Sequence, residues 1–217
     1  MTLDLRHWAL QDPGRLAVRV GDVNTTYGEL EAQANRMAHV LRAKGIGRGD
    51  HVAALMGNGA SVFAVVWGAY RVGAYVTPVP STASAEDAAY IVRDCGARAV
   101  IADACLGEVL EALPFAAGHS PLWLALGGDV RGFLPIDRLL AEAPAAPVAD
   151  ESSGALMMYT SGTTGHPKGV VYSHRSSYLH SMAVCSGNGM GLSFSDKAFP
   201  IVPMFHANAW GLPYAAL

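Results

Sequence analysis

Four hydroxyl residues, three glycines and one lysine lie within ten consecutive positions of the chain, between two apolar runs. They are Thr160, Ser161, Gly162, Thr163, Thr164, Gly165, Lys168 and Gly169. Glycines allow backbone N–H groups to turn inward around an anion, hydroxyls add donors, and a lysine ammonium supplies a compact positive charge. Hydroxyl oxygens can also ligate magnesium, which commonly shares the phosphates of a nucleotide. These residue types predict a loop that binds a polyphosphate.

The spacing of these residues differs from that of a Walker A loop, which has the order G-x-x-x-x-G-K-[ST] and opens a helix. Here Gly162 and Gly165 stand three residues apart, and Lys168 follows a proline. Because residues 155–159 and 169–172 are mostly apolar, we predict a loop between two strands. An ordinary surface turn is the alternative, since Gly, Ser, Thr and Pro also favour turns.

A second segment with chemically useful side chains covers residues 201–214. It places Phe205, His206, Asn208 and Trp210 at the end of a predicted strand. The ends of strands in open α/β sheets are common ligand sites. Taken by itself, however, the histidine is more typical of a structural position and the tryptophan of a core position.

The first segment is similar to the signature loop of the adenylate-forming superfamily, which comprises acyl- and aryl-CoA synthetases, peptide-synthetase adenylation domains and luciferases. Residues 159–170 read Y-T-S-G-T-T-G-H-P-K-G-V, and the signature leaves only the position of His166 free. The resemblance implies that the loop binds the β- and γ-phosphates of ATP, with Lys168 as a catalytic residue and Thr160 as a magnesium contact. The residues implied to bind the nucleotide are Thr160, Ser161, Gly162, Thr163, Thr164, Gly165 and Lys168.

The second segment, P-M-F-H-x-x-x-W at residues 203–210, resembles the segment that follows this loop in the superfamily. It is most like that of medium- and long-chain fatty acyl-CoA synthetases. The resemblance implies that His206 orients the carboxylate or the α-phosphate, as a catalytic and substrate-binding residue. It also implies that Trp210 binds substrate, because in some of these enzymes a tryptophan here blocks the fatty-acid tunnel until ATP binds. Residues 25–30 and 67–78 resemble two further family motifs, which we interpret as packing.

The implied reaction has two steps and uses ATP, Mg²⁺, a fatty acid or other carboxylic acid, and coenzyme A. A carboxylate oxygen attacks the α-phosphorus of Mg-ATP to give acyl-AMP and pyrophosphate, and the thiol of coenzyme A then displaces AMP. We therefore expect the N-terminal part of a fatty acid–CoA ligase. The alternatives are an aryl-CoA ligase, an adenylating enzyme that loads carrier proteins, and a catalytically silent fragment that binds a nucleotide or another anion.

The length of the chain bears on its activity. Family members are much longer, and their later motifs for adenine, ribose and magnesium, together with a C-terminal domain lysine, are not in these 217 residues. We expect little or no turnover from these residues alone. A dinucleotide site at Gly57-Asn58-Gly59 is disfavoured, because Val62 occupies the place of the third glycine and no acidic residue ends the next strand.

Alternating strand and helix patterns predict an α/β fold with a mainly parallel sheet and flanking helices. The resemblance implies the N-terminal portion of the superfamily's large domain. Thr26 with Glu29, and Ser84 with Asp87, have the spacing of helix caps. We predict a hairpin at 16–20 and 24–27, strands at 51–56, 74–79, 98–102, 122–126 and 198–202, and helices ending at residues 44, 72, 95, 113, 141 and 186.

A Pro/Ala-rich connector at residues 143–151 separates a first α/β subdomain, residues 1–142, from the start of a second, residues 152–217. This boundary does not establish two independent domains, because strands after the connector could rejoin the same fold.

The composition indicates a globular protein, with 51% hydrophobic and 15% charged residues. A net charge of −3 gives no basic field for nucleic acid. The three cysteines lack the spacing of metal ligands, and reduced thiols indicate a cytoplasmic protein. The most apolar window, residues 60–79, predicts a buried helix and strand rather than a membrane span. Peripheral membrane contact and oligomerisation are left open.

Overall fold

The computed structural model describes residues 5–118, 120–160, 166–206, 209 and 211–217. Within these residues the strands are β1 Leu16–Val20, β2 Val23–Thr26, β3 His51–Leu55, β4 Tyr75–Val79, β5 Ala97–Asp103, β6 Leu122–Leu126, β7 Leu134–Pro135, β8 Ala155–Thr160 and β9 Lys168–Tyr172. The helices are α1 Leu5–Gln11, α2 Tyr27–Ala43, α3 Ala60–Arg71, α4 Ala85–Asp94, α5 Glu108–Ala117, α6 Asp137–Glu142, α7 His174–Cys185 and α8 Leu212–Ala216, with a 3-10 turn at Ala104–Leu106.

The sheet confirms the predicted α/β class. β1 and β2 form an antiparallel hairpin, and the other described strands form one sheet in the order β7-β6-β5-β3-β4-β8-β9. Strands β3 to β8 run parallel to their neighbours, whereas β9 returns antiparallel to β8. The carboxyl ends of the parallel strands therefore meet at one edge of the sheet.

Local capping contacts fix where two of the helices begin. At the start of α2, the hydroxyl of Thr26 accepts the N–H of Glu29 at 3.2 Å, and the Glu29 carboxylate accepts the N–H of Thr26 at 2.8 Å. At the start of α4, the hydroxyl of Ser84 accepts the N–H of Asp87 at 3.1 Å. These bonds satisfy N–H groups that have no partner within the helix. Both predicted caps are confirmed.

The core lies on both faces of the sheet. Successive residues of β3 alternate between two apolar clusters, with Val52 in the cluster that contains α2 and α3 and Ala53 in the cluster that contains α4 and α5. Side chains of a strand point to opposite faces in turn, and a parallel sheet covered by helices buries both. This explains why β3 and β5 are apolar almost throughout.

Two arginines tie α1, α2 and α3 to the segment that leads into β8. Arg71, whose side chain is 7% exposed, donates to the carboxylate of Glu31 and, at 2.6 Å, to the side-chain oxygen of Asn35. Arg6 donates to the other oxygen of Glu31 at 3.0 Å and to Glu151 at 2.7 Å. The hydrogen bond from Arg6 is the main reason that the pKa of Glu151 lies below its ordinary value. The network therefore joins elements distant in sequence.

The connector, residues 143–151, runs along α2. Asn35 donates to the carbonyl of Ala145 at 2.7 Å, and the His39 ring is hydrogen-bonded to the carbonyl of Ala146 at 3.0 Å. Beyond the connector, β8 pairs with β4, so the segments before and after it share one sheet. The boundaries 1–142 and 152–217 stay a prediction as far as independent folding is concerned.

The predicted strand at residues 198–202 is wrong. In the structure this segment has no regular secondary structure, and Phe199 and Ile201 are 87% and 84% exposed. Pro200 has no N–H to donate, and no described strand lies beside the segment to pair with it. Conversely, α1 forms at the N-terminal end of the described chain, where the sequence analysis predicted no element. In the described part of the chain, no helix is both long enough and apolar enough to span a bilayer.

Candidate functional site

The loop predicted to bind polyphosphate is the connection of a β-hairpin. Strands β8 and β9 are antiparallel, with Thr160 opposite Lys168 and Tyr159 opposite Gly169. The prediction of a loop between two strands is confirmed. The predicted nucleotide-binding residues Ser161, Gly162, Thr163, Thr164 and Gly165 lie outside the described residues, so their role stays a prediction.

The two described residues at the base of this loop face solvent. Thr160 and Lys168 are both exposed. Among the residues that the structure describes, no carboxylate lies within ion-pair distance of the Lys168 ammonium. An exposed ammonium without an internal counter-ion is available to an anionic ligand. The geometry therefore fits the charge that a polyphosphate requires, although the catalytic role of Lys168 stays a prediction.

Gly169 lets side chains of β8 close over β9. A Cβ at this position would stand 3.0 Å from Cζ of Tyr159 and would overlap the terminal methyl of Met157. A contact of 3.0 Å is shorter than ordinary van der Waals separation. The third glycine of the motif thus serves the packing of the hairpin stem rather than a positive φ.

The second motif lies at the same edge of the sheet as the loop. Asn58 follows β3 at its carboxyl end, and its side-chain oxygen accepts the N–H of Met204 at 2.8 Å. Thr160 ends β8, and only β4 separates β8 from β3, so two strand spacings, about 10 Å, separate the ends of β3 and β8. The structure therefore places the 203–206 turn and the base of the loop at one edge.

Within this turn, the backbone holds the predicted histidine at the surface. The N–H of His206 donates to the carbonyl of Pro203 at 3.0 Å, and the N–H of Ala209 donates to the carbonyl of His206 at 2.9 Å. The side chain of His206 is exposed. Its role as a catalytic and substrate-binding residue stays a prediction. Trp210, predicted to bind substrate, lies outside the described residues.

Magnesium would find one candidate oxygen among the described residues of the motif, the exposed hydroxyl of Thr160. Magnesium usually keeps several waters and binds nucleotide phosphates with one or two protein ligands. In the described part of the chain, no group of three or more His, Cys, Asp or Glu residues could hold a metal by itself. The site therefore fits an ion that arrives with a nucleotide, and the contact with Thr160 stays a prediction.

The contacts made by Gly57 and Asn58 fit the turn between strand and helix that the sequence analysis favoured over a dinucleotide site. The N–H of Gly57 donates to the carboxylate of Asp103 at 2.8 Å, across the carboxyl ends of β3 and β5. Burial raises the pKa of Asp103, and this hydrogen bond opposes the shift. Together with the bond from Asn58 to Met204, these contacts hold the turn in place.

Sequence reasoning missed two residues of α4 that contact the hairpin. The ring of Tyr90 stacks on the imidazole of His166, and the carboxylate of Asp94 accepts the hydroxyl of Tyr159 at 2.6 Å. Burial, followed by this hydrogen bond, raises the pKa of Tyr159. Tyr90 and Asp94 are four residues apart and so share one face of the helix, which is the only sequence signal for their common role.

A cavity of about 330 Å³ lies toward the other end of β8. Its wall includes Trp8, Trp67, Tyr70, Leu156, Met182 and Phe194. Leu156 stands four residues before Thr160, which corresponds to about 13 Å along an extended strand. Because the wall is largely aromatic and aliphatic, the cavity is suited to an apolar group rather than to phosphate.

Comparison with known proteins agrees with this geometry. The sequence pattern of the family described as AMP-binding enzyme matches residues 5–217. The chain is 36% identical over 201 residues to the long-chain-fatty-acid–CoA ligase of Thermus thermophilus, covering 92% of this chain and 37% of that protein. It is 32% identical over 162 residues to the 3-hydroxybenzoate–CoA ligase of an Aromatoleum species, covering 73% of this chain and 31% of that protein.

Among solved structures, the inhibitor-bound N-terminal domain of FACL13 from Mycobacterium tuberculosis is similar, with a TM-score of 0.82 and 33% identity. The similarity covers 98% of this chain and 53% of that one. The chain belongs to the AMP-binding enzyme family, whose members similar to it are acid–thiol ligases that form acyl-CoA. It spans about 37% of the length of the Thermus ligase.

Proposed function

We propose that the protein containing this chain is an ATP-dependent fatty acid–CoA ligase. It activates a carboxylate as acyl-AMP and transfers the acyl group to coenzyme A. The observation that carries this proposal is the exposed Lys168 ammonium, which has no carboxylate partner among the described residues and lies opposite Thr160 at the base of the loop. The names of the relatives support the choice of acid, because they include ligases of long- and medium-chain fatty acids.

Each described residue of the site has a role in the first step. Lys168 stabilises the charge that grows on the departing pyrophosphate, and His206 orients the carboxylate or the α-phosphate. The residues act mainly by alignment and charge stabilisation, since a carboxylate is already ionised at neutral pH and needs no general base. Thr160 would hold Mg²⁺, which neutralises phosphate charge when it is bound.

An aryl-CoA ligase is the second candidate, and the similarity to a 3-hydroxybenzoate–CoA ligase favours it. An enzyme that loads carrier proteins and a silent anion-binding fragment have no such support, although both would use the same loop. A cytoplasmic location fits the three cysteines, none of which forms a disulfide in the structure. Any membrane contact would be peripheral.

A panel of acids separates these candidates. We expect the full-length gene product to exchange labelled pyrophosphate into ATP most rapidly with medium- or long-chain fatty acids. Benzoates, amino acids and a reaction without acid are the comparisons, and product analysis with coenzyme A or a carrier protein identifies the acceptor. Faster exchange with benzoates would favour the aryl-CoA ligase, and the absence of exchange with every acid would refute the proposed activity.

A further inference from the structure

Helix α4 contacts the phosphate loop through a residue that belongs to neither motif. The ring of Tyr90 stacks on the imidazole of His166, with ring centroids 4.6 Å apart and planes inclined by 19°. The Tyr90 hydroxyl donates to the carbonyl oxygen of Pro167 at 3.2 Å. His166 and Pro167 are the two residues immediately before Lys168. A single side chain therefore holds both residues that lead into the lysine.

A second contact from the same helix holds the opposite strand of the hairpin. Asp94 lies one helical turn after Tyr90, and its carboxylate accepts the hydroxyl of Tyr159 at 2.6 Å. Tyr159 precedes Thr160, at the point where the loop leaves β8. The loop is thus held by α4 on both sides, at residues 166–167 and at residue 159.

The helix that makes these contacts is anchored in the core. Ala88, Ala89, Ile91 and Val92 are buried and pack in the cluster that α4 shares with α5. The Ser84 cap fixes the beginning of the helix. Because close-packed interiors resist displacement, Tyr90 offers the loop a fixed reference point.

We propose that Tyr90 is a positioning residue for the phosphate loop. Its stacking on His166 and its hydrogen bond to Pro167 orient the backbone that carries Lys168 before the nucleotide binds. This inference rests on the proposed function of the loop. It also gives a role to His166, the position that the family signature leaves free, because in this chain that residue is the stacking partner of α4.

Prior orientation affects the nucleotide step and not the acid. If Tyr90 is lost, residues 166–168 must be ordered when ATP binds, and the cost of ordering is subtracted from the binding energy. Small misplacements of charged groups also slow the chemical step. The Michaelis constant for the acid should remain unchanged.

The test compares Tyr90→Ala, Tyr90→Phe and Arg93→Ala in the full-length gene product. We expect Tyr90→Ala to lower kcat/KM for ATP about 10- to 100-fold, with an unchanged KM for the acid. Tyr90→Phe keeps the stacking ring and should lose less. Arg93 is exposed on the same helix, and its replacement is the matched control. A purely structural role would lower kcat and the melting temperature and leave both KM values unchanged, which would overturn the inference.

A double-mutant cycle checks the named contact. We expect His166→Ala to add little to the effect of Tyr90→Ala, because residues in contact do not contribute independently. Additive effects would show that Tyr90 acts through some other residue, contrary to the inference.

The outcome remains decisive if the proposed function fails. If the full-length protein exchanges pyrophosphate with no acid, the proposed function is wrong, and the affinity of the 217-residue chain for magnesium tripolyphosphate becomes the readout. Weaker binding by Tyr90→Ala than by Arg93→Ala would support Tyr90 as a positioning residue for the loop. Equal affinities would overturn this role.

Discussion

Replacing Lys168 by alanine is expected to slow acid-dependent exchange of pyrophosphate into ATP by about 10²- to 10³-fold, equivalent to about 3–4 kcal/mol of transition-state stabilisation. Lys168 is the only cationic residue of the motif and has no carboxylate partner in the described part of the chain. Its loss therefore leaves no other motif charge to stabilise the departing pyrophosphate. Steady-state exchange by the full-length gene product is the measurement.

Two further variants separate charge from general damage. Lys168→Arg keeps the charge but changes the donor geometry, so it should recover only part of the activity. Lys197→Ala removes another exposed lysine, outside both motifs, and should leave the rate unchanged. Equal rates for Lys168→Ala and the unmodified protein would mean that the loop does not act on phosphate charge.

Replacing Arg71 by alanine is expected to have the largest effect on stability, lowering the free energy of unfolding by about 3–5 kcal/mol. The Arg71 side chain is 7% exposed and binds Glu31 and Asn35. Its removal leaves a largely buried carboxylate and amide with fewer partners, and desolvation of the charge is then uncompensated. Equilibrium denaturation of the 217-residue chain measures the loss.

A surface ion pair of the same chain provides the control for Arg71. Arg138 donates to Glu142 at 2.7 Å, one turn later on α6, and its side chain is 88% exposed. Such a pair contributes less than about 1 kcal/mol, because water screens it. If Arg138→Ala and Arg71→Ala destabilised the chain equally, burial would not be the source of the network's strength.

The elements predicted correctly from sequence are those that local contacts specify. The caps at Thr26 and Ser84 involve partners three residues away, and the hairpin of the phosphate loop follows from two apolar runs on either side of a turn. Alternating strands and helices likewise predict the parallel sheet. In each case the interacting residues are close together in the sequence, so their spacing carries the information.

The features that sequence reasoning missed depend on distant partners. Tyr90 and His166 are 76 residues apart, and nothing in the spacing of either segment indicates that their rings stack. Residues 198–202 show the reverse error, because apolar composition predicts a strand but only a neighbouring strand can provide its hydrogen bonds. Long-range pairing must be seen in the structure.

The central claim is that the groups between Tyr159 and Val170 converge on a polyphosphate. Its most direct test is a titration of the isotope-labelled 217-residue chain with magnesium tripolyphosphate, followed by amide NMR. We expect the largest shift changes between Thr160 and Gly169, and we expect Lys168→Ala to weaken them strongly. Changes located elsewhere, or changes in this loop that persist undiminished in Lys168→Ala, would contradict the claim.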